Sequence, residues 1–150
     1  MFNHAPEGYA CPFCRIVREI AAGEKADFVF QDNTISAFMS LHDSPNNLGH
    51  VLIVPNEHHE NIFDLPTPLA ARIYECSRSI AIAMKAAYQC DGISTRQHNE
   101  PAGGQDVWHY HLHIYPRYTG DNLVRSNVIT PEEKRVELAE HLRAHIADHA

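Results

Sequence analysis

Residues 103–117 run Gly-Gly-Gln-Asp-Val-Trp-His-Tyr-His-Leu-His-Ile-Tyr-Pro-Arg. Successive side chains of a β-strand point to opposite faces of a sheet, so the alternation here predicts a strand over residues 107–115. His109, His111 and His113 would share one face of that strand, and the other face would carry Tyr110, Leu112 and Ile114. The sequence therefore predicts a sheet with one face dedicated to imidazole.

Other periodic segments predict the elements around this strand. Helical spacing of apolar residues predicts a short helix over 12–22 and a long helix from Thr67-Pro68 to Asp91-Gly92. A last helix over 131–147 is predicted from the capping box Thr130-Pro131-Glu132-Glu133. Short apolar runs predict four more strands, over 28–30, 35–41, 51–54 and 93–97. Strands mixed with few helices predict an α+β domain with a mainly antiparallel sheet.

Length and charge limit the classes of protein that fit. A chain of 150 residues suits one compact domain, so we expect a single domain over 1–150. The net charge of −7 and the absence of a Lys/Arg cluster argue against a partner that is a nucleic-acid polymer. No stretch approaches the ~18 apolar residues of a membrane span, and the first twenty residues lack an apolar export signal. We therefore expect a cytoplasmic protein without a membrane partner, although a small anionic ligand is compatible with these features.

The histidine face and the glycine-rich loop before it suit phosphate chemistry. At neutral pH an imidazole is mostly uncharged, so it can attack phosphorus or bind a metal without first losing a proton. Gly103 and Gly104 leave backbone N–H groups open to close approach, and Gln105 adds a carboxamide donor. The competing interpretations are a polar, solvent-exposed sheet face and an ordinary Gly-Gly turn.

Cys11 and Cys14 have the spacing of zinc ligands, with His50 and His109 at strand ends as the candidates to complete a tetrahedral site. His109 and His113 would lie about 13 Å apart along a strand, too far for one ion to bind all three histidines. Two alternatives stay open for the cysteine pair. A redox dithiol normally follows a strand, which is not predicted here, and inert thiols are also possible.

The two segments 103–117 and 49–58 (Gly-His-Val-Leu-Ile-Val-Pro-Asn-Glu-His) together resemble the histidine triad (HIT) family. The resemblance implies a HIT-like fold with a five-stranded antiparallel sheet and two main helices, usually paired as a homodimer. It also implies a nucleotide substrate that is attacked at its α-phosphate. His111 would be the nucleophile that forms a nucleotidyl-histidine intermediate, and His113 would assist. Gln105 and the backbone at Asp106 and Val107 would bind the phosphate.

The resemblance also implies a structural zinc ion, because family members that begin with the cysteine pair hold zinc at positions matching Cys11, Cys14, His50 and His109. The zinc-binding start would cover residues 8–23. One departure concerns the nucleoside: His42 stands eight residues before His50, where the family usually has Asp or Asn for the ribose hydroxyls. The remaining residues that we expect to contact the substrate are His42, Asp43 and Asn99.

These features predict a hydrolase of dinucleoside polyphosphates or related nucleotide conjugates. Residues 116–121 (Pro-Arg-Tyr-Thr-Gly-Asp) look more like the dinucleoside-polyphosphate hydrolase branch of the family than the phosphoramidase branch. The alternatives within the enzyme class are a nucleoside phosphoramidase and a nucleotide phosphorylase or transferase. Outside that class, the chain could be a non-catalytic nucleotide-binding module, or a thiol redox protein that uses Cys11 and Cys14.

Overall fold

A five-stranded antiparallel sheet with three helices forms the molecule. The computed structural model describes residues 2–124 and 126–146, and all structural statements concern these ranges. The strands are β1 (Phe28–Gln31), β2 (Ile35–Met39), β3 (Val51–Pro55), β4 (Gly92–Gln97) and β5 (Leu112–Arg117). Their order in the sheet is β1-β2-β3-β5-β4, and every pair of neighbours is antiparallel. The predicted fold class, α+β with a mainly antiparallel sheet, is confirmed.

The helices lie on both sides of this sheet. They are α1 (Pro12–Ala21), α2 (Thr67–Tyr88) and α3 (Glu132–Ile146), with a single 3₁₀ turn at Pro101–Gly103. α2 and α3 are the two long helices, and α1 is short. No helix in residues 2–124 and 126–146 is long and apolar enough to cross a bilayer.

The central strands are buried on both faces, which explains why β3 is a continuous apolar run and why β2 is apolar except for Ser36, whose hydroxyl donates to the Asn56 side chain (2.6 Å). All five residues of each strand are buried. Val51 and Ile53 point to the core that α2 and α3 cover, whereas Leu52 and Val54 pack with Phe13 of α1. A strand that alternates between two apolar layers needs apolar residues at every position. The α1 side of the sheet is the side that carries the histidines.

The predicted strand over 107–115 is only partly correct, because β5 begins at Leu112. Residues 107–109 form a bend in which the His109 N–H donates to the Val107 carbonyl (2.8 Å). The Tyr110 N–H then bonds the carbonyl of His59 (2.6 Å) instead of joining the β3 ladder. The residues before His111 therefore lie outside the sheet. The direction of the His109 side chain is consequently not set by the alternation of a strand.

The remaining predicted elements agree with the structure to within a few residues at each end. The predicted end of the last helix, Ala147, lies outside the described residues. The Thr130 hydroxyl, predicted to cap α3, instead donates to the buried carboxylate of Asp43 (2.9 Å). Ile73 and Ile80 are completely buried in the core of the chain itself, so they form no exposed strip on α2. The homodimer therefore stays a prediction.

Candidate active site

His111 presents one ring nitrogen to a cleft and has the other fixed by the backbone. Its Nδ1 lies 2.7 Å from the His109 carbonyl oxygen, a partner that can only accept. Nδ1 therefore carries the proton, and Nε2 keeps an in-plane lone pair. The Phe13 ring packs edge-on against the imidazole, with centroids 5.1 Å apart, and the side chain is only 2% exposed. The imidazole is therefore held in one orientation and is shielded from bulk water.

The cleft beside His111 has a volume of about 380 Å³ and lies between α1 and the sheet. Its middle is apolar, formed by Phe13 and Ile16 of α1 and by Phe38 and Leu52 of the sheet. Such walls suit a flat, weakly polar group such as a nucleobase. His111 and His113 also line the cleft, together with Asp106 and Val107 of the preceding loop. Charged side chains complete the lining, among them Lys25, Asp27 and Arg135.

His113 is supported by a stack of rings behind the cleft. Its Nδ1 lies 2.9 Å from Nε2 of His50, whose ring stacks on Tyr115 with centroids 4.0 Å apart. The two ring nitrogens in this contact share one proton, since a hydrogen bond needs one donor and one acceptor. Burial lowers the pKa of His113 to about 2 and that of His50 to about 4, because a charged imidazole would lose its hydration. Both rings are therefore neutral at physiological pH.

A second cluster, the thiol–imidazole cluster, contains Cys11, Cys14, His58 and His109, whose possible ligand atoms all lie within 4.8 Å of one another. His109 Nδ1 lies 3.3 Å from Cys11 Sγ and 3.5 Å from Cys14 Sγ. Two sulfur and two nitrogen donors fit the tetrahedral preference of Zn²⁺. Burial raises the pKa of the Cys14 thiol to about 11, and a cation at this position would favour the thiolate instead.

The predicted fourth ligand, His50, is replaced in this cluster by His58. The reason is the antiparallel register, in which Leu52 pairs with His113 and Ile53 with Leu112. His50, at the start of β3, consequently stacks on Tyr115, whereas His109 reaches the far end of β3 and bonds the Pro55 carbonyl (2.9 Å). His58 follows that end by three residues. No motif in the sequence indicates this register, so His58 could not be identified as a member of the cluster without the structure.

The predicted substrate contacts fall into two groups. His42, Asp106 and Val107 line the cleft. Asp43 does not, because its buried carboxylate accepts hydrogen bonds from the Gly49 and His50 N–H groups (3.2 and 2.9 Å) and from Thr130. Asp43 thus orders the loop before β3, and its contact with substrate stays a prediction.

Gln105 and Asn99 also have partners within the protein. The Gln105 carboxamide donates to the carbonyls of Glu60 (2.6 Å) and Val107 (3.0 Å), so it fixes the shape of the loop before His109. The Asn99 side chain accepts from the Ile62 N–H (2.8 Å). Neither residue is part of the cleft wall, and the structure brings each to a loop that adjoins the site.

Sequence reasoning missed Glu60 and the N-terminal strap, defined as residues 2–10. The buried Glu60 carboxylate accepts from the backbone N–H groups of His4 (2.5 Å) and Ala5 (3.2 Å). The Tyr9 hydroxyl accepts from the Trp108 N–H (3.3 Å). The strap thus holds the bend that precedes His109. A lone glutamate and a short N-terminal segment carry no motif, so this role could not be predicted from the sequence.

Known proteins match this geometry across the central part of the chain. The HIT domain family matches residues 22–120, from the end of α1 to the loop after β5. The chain belongs to the histidine triad (HIT) family. A Hit-like protein of Bartonella henselae is 34% identical, and the match covers 95% of this chain and 99% of that one with a TM-score of 0.82.

Two further HIT relatives bear on the metal and on the reaction. A Zn-bound histidine triad protein of Mycobacterium smegmatis is 30% identical over 93% of this chain and 94% of its own, with a TM-score of 0.76. Adenylylsulfatase HINT3 of Arabidopsis thaliana is 26% identical over 91% of this chain and 69% of its own length. The HIT family thus includes a zinc-bound member and a nucleotide hydrolase.

Proposed function

We propose that this HIT protein is a nucleotidyl hydrolase that cleaves dinucleoside polyphosphates or related nucleotide conjugates at the α-phosphate. The observation that carries the proposal is the His111 imidazole, whose proton is held on Nδ1 while Nε2 faces the cleft. A neutral imidazole in this orientation can attack phosphorus directly. The relative named adenylylsulfatase supports hydrolysis of a nucleotide conjugate.

The reaction would proceed in two displacements at one phosphorus atom. In the first, Nε2 of His111 bonds to phosphorus and the leaving group departs with the electron pair of the broken P–O bond. In the second, water replaces the imidazole and releases a nucleoside monophosphate. The His109 carbonyl would stabilise the positive charge that develops on the ring during attack, because it accepts a hydrogen bond from the Nδ1–H group. His113 lies beside the reacting ring, with centroids 4.8 Å apart.

The cleft suggests how a nucleotide would lie. The phosphate would occupy the end with His111 and His113, next to the backbone of Asp106 and Val107, and the base would lie between Phe13 and the sheet. Gln105 would act mainly by shaping this loop, since its carboxamide hydrogens are bound by carbonyl groups. His42 would take the position near the ribose.

We also propose that the thiol–imidazole cluster binds a structural zinc ion. Its supporting observations are the donor set, the distances within the cluster and the Zn-bound relative. When bound, zinc would cross-link the start of α1 to the bend before β5 and would neutralise the charge of the two thiolates. The ion would not contact the substrate, because His109 turns Nδ1 toward the cysteines while its carbonyl holds His111.

The test is nucleoside monophosphate release by wild type and His111→Ala from diadenosine polyphosphates, adenylyl sulfate and adenosine phosphoramidate. We expect the variant to lose at least about 1,000-fold in kcat/KM, since a covalent route would be removed. His141→Ala, on the exposed side of α3, is the matched control and keeps full activity. Wild-type turnover in His111→Ala would overturn the mechanism.

Product analysis separates the alternatives. On adenylyl sulfate with inorganic phosphate added, a phosphorylase would yield adenosine diphosphate and sulfate, whereas a hydrolase yields adenosine monophosphate and sulfate. A phosphoramidase would prefer the P–N substrate. Nucleotide binding without any product, measured by calorimetry on the same panel, would favour a non-catalytic binding module.

A further inference from the structure

A group of three charged side chains, the cationic group, lines the cleft beside β1. Asp27, which immediately precedes this strand, is only 2% exposed. Its Oδ1 lies 2.8 Å from Nζ of Lys25, and its Oδ2 accepts from Nε of Arg135 (2.7 Å). All three residues line the cleft. Because both carboxylate oxygens face a cation, the group carries one net positive charge and offers a ligand hydrogen-bond donors rather than acceptors.

Both cations of this group keep donors that the protein does not use. The Lys25 ammonium has three N–H bonds, and Asp27 is its one ionic partner among the described residues. The Arg135 guanidinium uses Nε for Asp27 and Nη1 for the carbonyl of Thr130. No described residue accepts from Nη2, and Nη2 is not one of the polar atoms that are enclosed without a partner. Donors of both side chains are therefore available to a ligand in the cleft.

The register of the sheet brings the cationic group next to the proposed position of the base. Leu52 of β3 lies between Phe38 of β2 and His113 of β5. Phe38 in turn pairs with Phe28, the first residue of β1. Neighbouring strands are about 4.8 Å apart, so the Phe38 backbone is about 10 Å from that of His113 and about 5 Å from β1. A base that lies on Phe38 and Leu52 while its phosphate is at β5 consequently directs its far edge toward the cationic group.

We propose that Lys25 and Arg135 bind the edge of a purine that carries oxygen at C6, so that the enzyme prefers guanosine and inosine nucleotides to adenosine nucleotides. This inference rests on the proposed function of the cleft and adds the identity of the base. Guanine and hypoxanthine present two acceptors, N7 and O6, side by side on one edge. Lysine and arginine donors recognise that pair of acceptors, as they do on guanine in the major groove of DNA.

Adenine and uracil fit the same donors less well. Adenine has an amino group in place of O6, so its N7 stands beside a donor. An amino group that faces two cations stays unpaired and is repelled electrostatically. It cannot donate to Asp27 instead, because that carboxylate is enclosed. Uracil offers one acceptor atom on the corresponding edge instead of two.

The experiment compares three ligands that differ only in the base: guanosine, inosine and adenosine monophosphate. Calorimetry measures their affinity for wild type, Lys25→Met and Arg135→Lys. Lys25→Met keeps most of the side-chain length and removes the charge, whereas Arg135→Lys keeps a cation beside Asp27 and removes Nη2. Lys134→Met, which changes the preceding residue of α3 and lies outside the cleft, is the matched control. Turnover is compared on guanylyl sulfate and adenylyl sulfate, which release the same leaving group.

We expect wild type to bind guanosine and inosine monophosphate at least about 10-fold more tightly than adenosine monophosphate, since such donor pairs discriminate between bases by about one to two orders of magnitude. The same ratio should appear in kcat/KM for the two sulfates. Lys25→Met and Arg135→Lys should each reduce the ratio by at least about 3-fold, whereas Lys134→Met should leave it unchanged. A variant that folds poorly or binds phosphate weakly would lose affinity for all three ligands alike, so the ratio reports contacts to the base.

Equal affinity of wild type for the three nucleotides, or tighter binding of adenosine monophosphate, would overturn the proposed base. A wild-type preference that survives in both Lys25→Met and Arg135→Lys would show that neither cation reads the base. In both cases, hydrolysis of the two sulfates that depends on His111 would leave the proposed function standing. Preferred binding of guanosine monophosphate without product from either sulfate would instead support the base assignment and contradict the hydrolase.

Discussion

His109 and His111 are two residues apart and belong to different sites. His109 has both ring nitrogens engaged, with Nδ1 beside two thiols and Nε2 on the Pro55 carbonyl. His111 has Nδ1 on the His109 carbonyl and turns Nε2 to the cleft, where Asp106 lies. Both side chains are almost completely buried. The partner of each ring nitrogen, rather than burial or residue type, separates a candidate metal ligand from a candidate nucleophile.

The largest expected contrast is in zinc binding by His58→Ala and His50→Ala. His58 is in the thiol–imidazole cluster, whereas His50 bonds His113. Changes to groups that merely support a metal ligand cost 10–100-fold in affinity, so loss of a ligand should cost at least about 100-fold. We expect that loss for His58→Ala and little change for His50→Ala, measured by competition with a chromogenic chelator.

The turnover number, by contrast, should fall more in His50→Ala than in His58→Ala. His50→Ala removes the ring that supports His113, so kcat should fall, while His58→Ala loaded with excess zinc should retain most of its turnover. Loss of zinc in His50→Ala with a normal affinity in His58→Ala would mean that the two histidines have been assigned to the wrong sites.

The contrast also shows what the sequence could predict. The alternation from Tyr110 to Ile114 predicts which residues enter the core, because those side chains follow strand geometry from Leu112 onward. The spacing of Cys11 and Cys14 predicts a metal site, since two thiols three residues apart in the first turn of a helix lie close together. These inferences depend on local geometry alone.

The errors concern contacts between distant segments. His58 joins the cluster because of the register in which β3 pairs with β5. That register cannot be predicted from the sequence of either strand. The Asp43 carboxylate accepts from the Thr130 hydroxyl, which is 87 residues away, and the sequence did not indicate this contact. The role of Glu60 depends on backbone N–H groups in the strap, which any residue would offer. Sequence patterns identify residue types, whereas such partners are set by tertiary packing.

The second prediction concerns pH and the imidazoles behind the cleft. Burial lowers the pKa of His50 to about 4, so the unfolded chain binds a proton that the folded chain does not as pH falls below about 6.5. Stability is therefore complete above that pH and decreases toward pH 4. From this pKa we expect His50 alone to cost about 2 kcal/mol of unfolding free energy between pH 7 and pH 5.

Urea unfolding of wild type and His50→Asn at both pH values measures this cost. The carboxylates and the histidines that do not contact His50 contribute equally to both proteins, so the difference reports His50 together with its partner His113. The loss of stability on acidification should be smaller by about 2 kcal/mol in the variant. An identical loss in the two proteins would show that His50 is not kept neutral by burial.

The smallest expected effect tests whether the strap connects the two sites. The Tyr9 hydroxyl accepts from the Trp108 N–H, one residue before His109, and Tyr9 also borders the open cavity beside Cys11, Cys14 and His58. Tyr9→Phe keeps the ring and removes the acceptor, so unfolding free energy should fall by about 1 kcal/mol. Because His109 supplies both the thiol contact and the carbonyl that holds His111, a looser bend should weaken zinc binding and kcat together by a few-fold. Tyr74→Phe, an exposed tyrosine on α2, is the control and should change neither quantity. A change in only one of them would mean that Trp108 and His109 position the two sites independently.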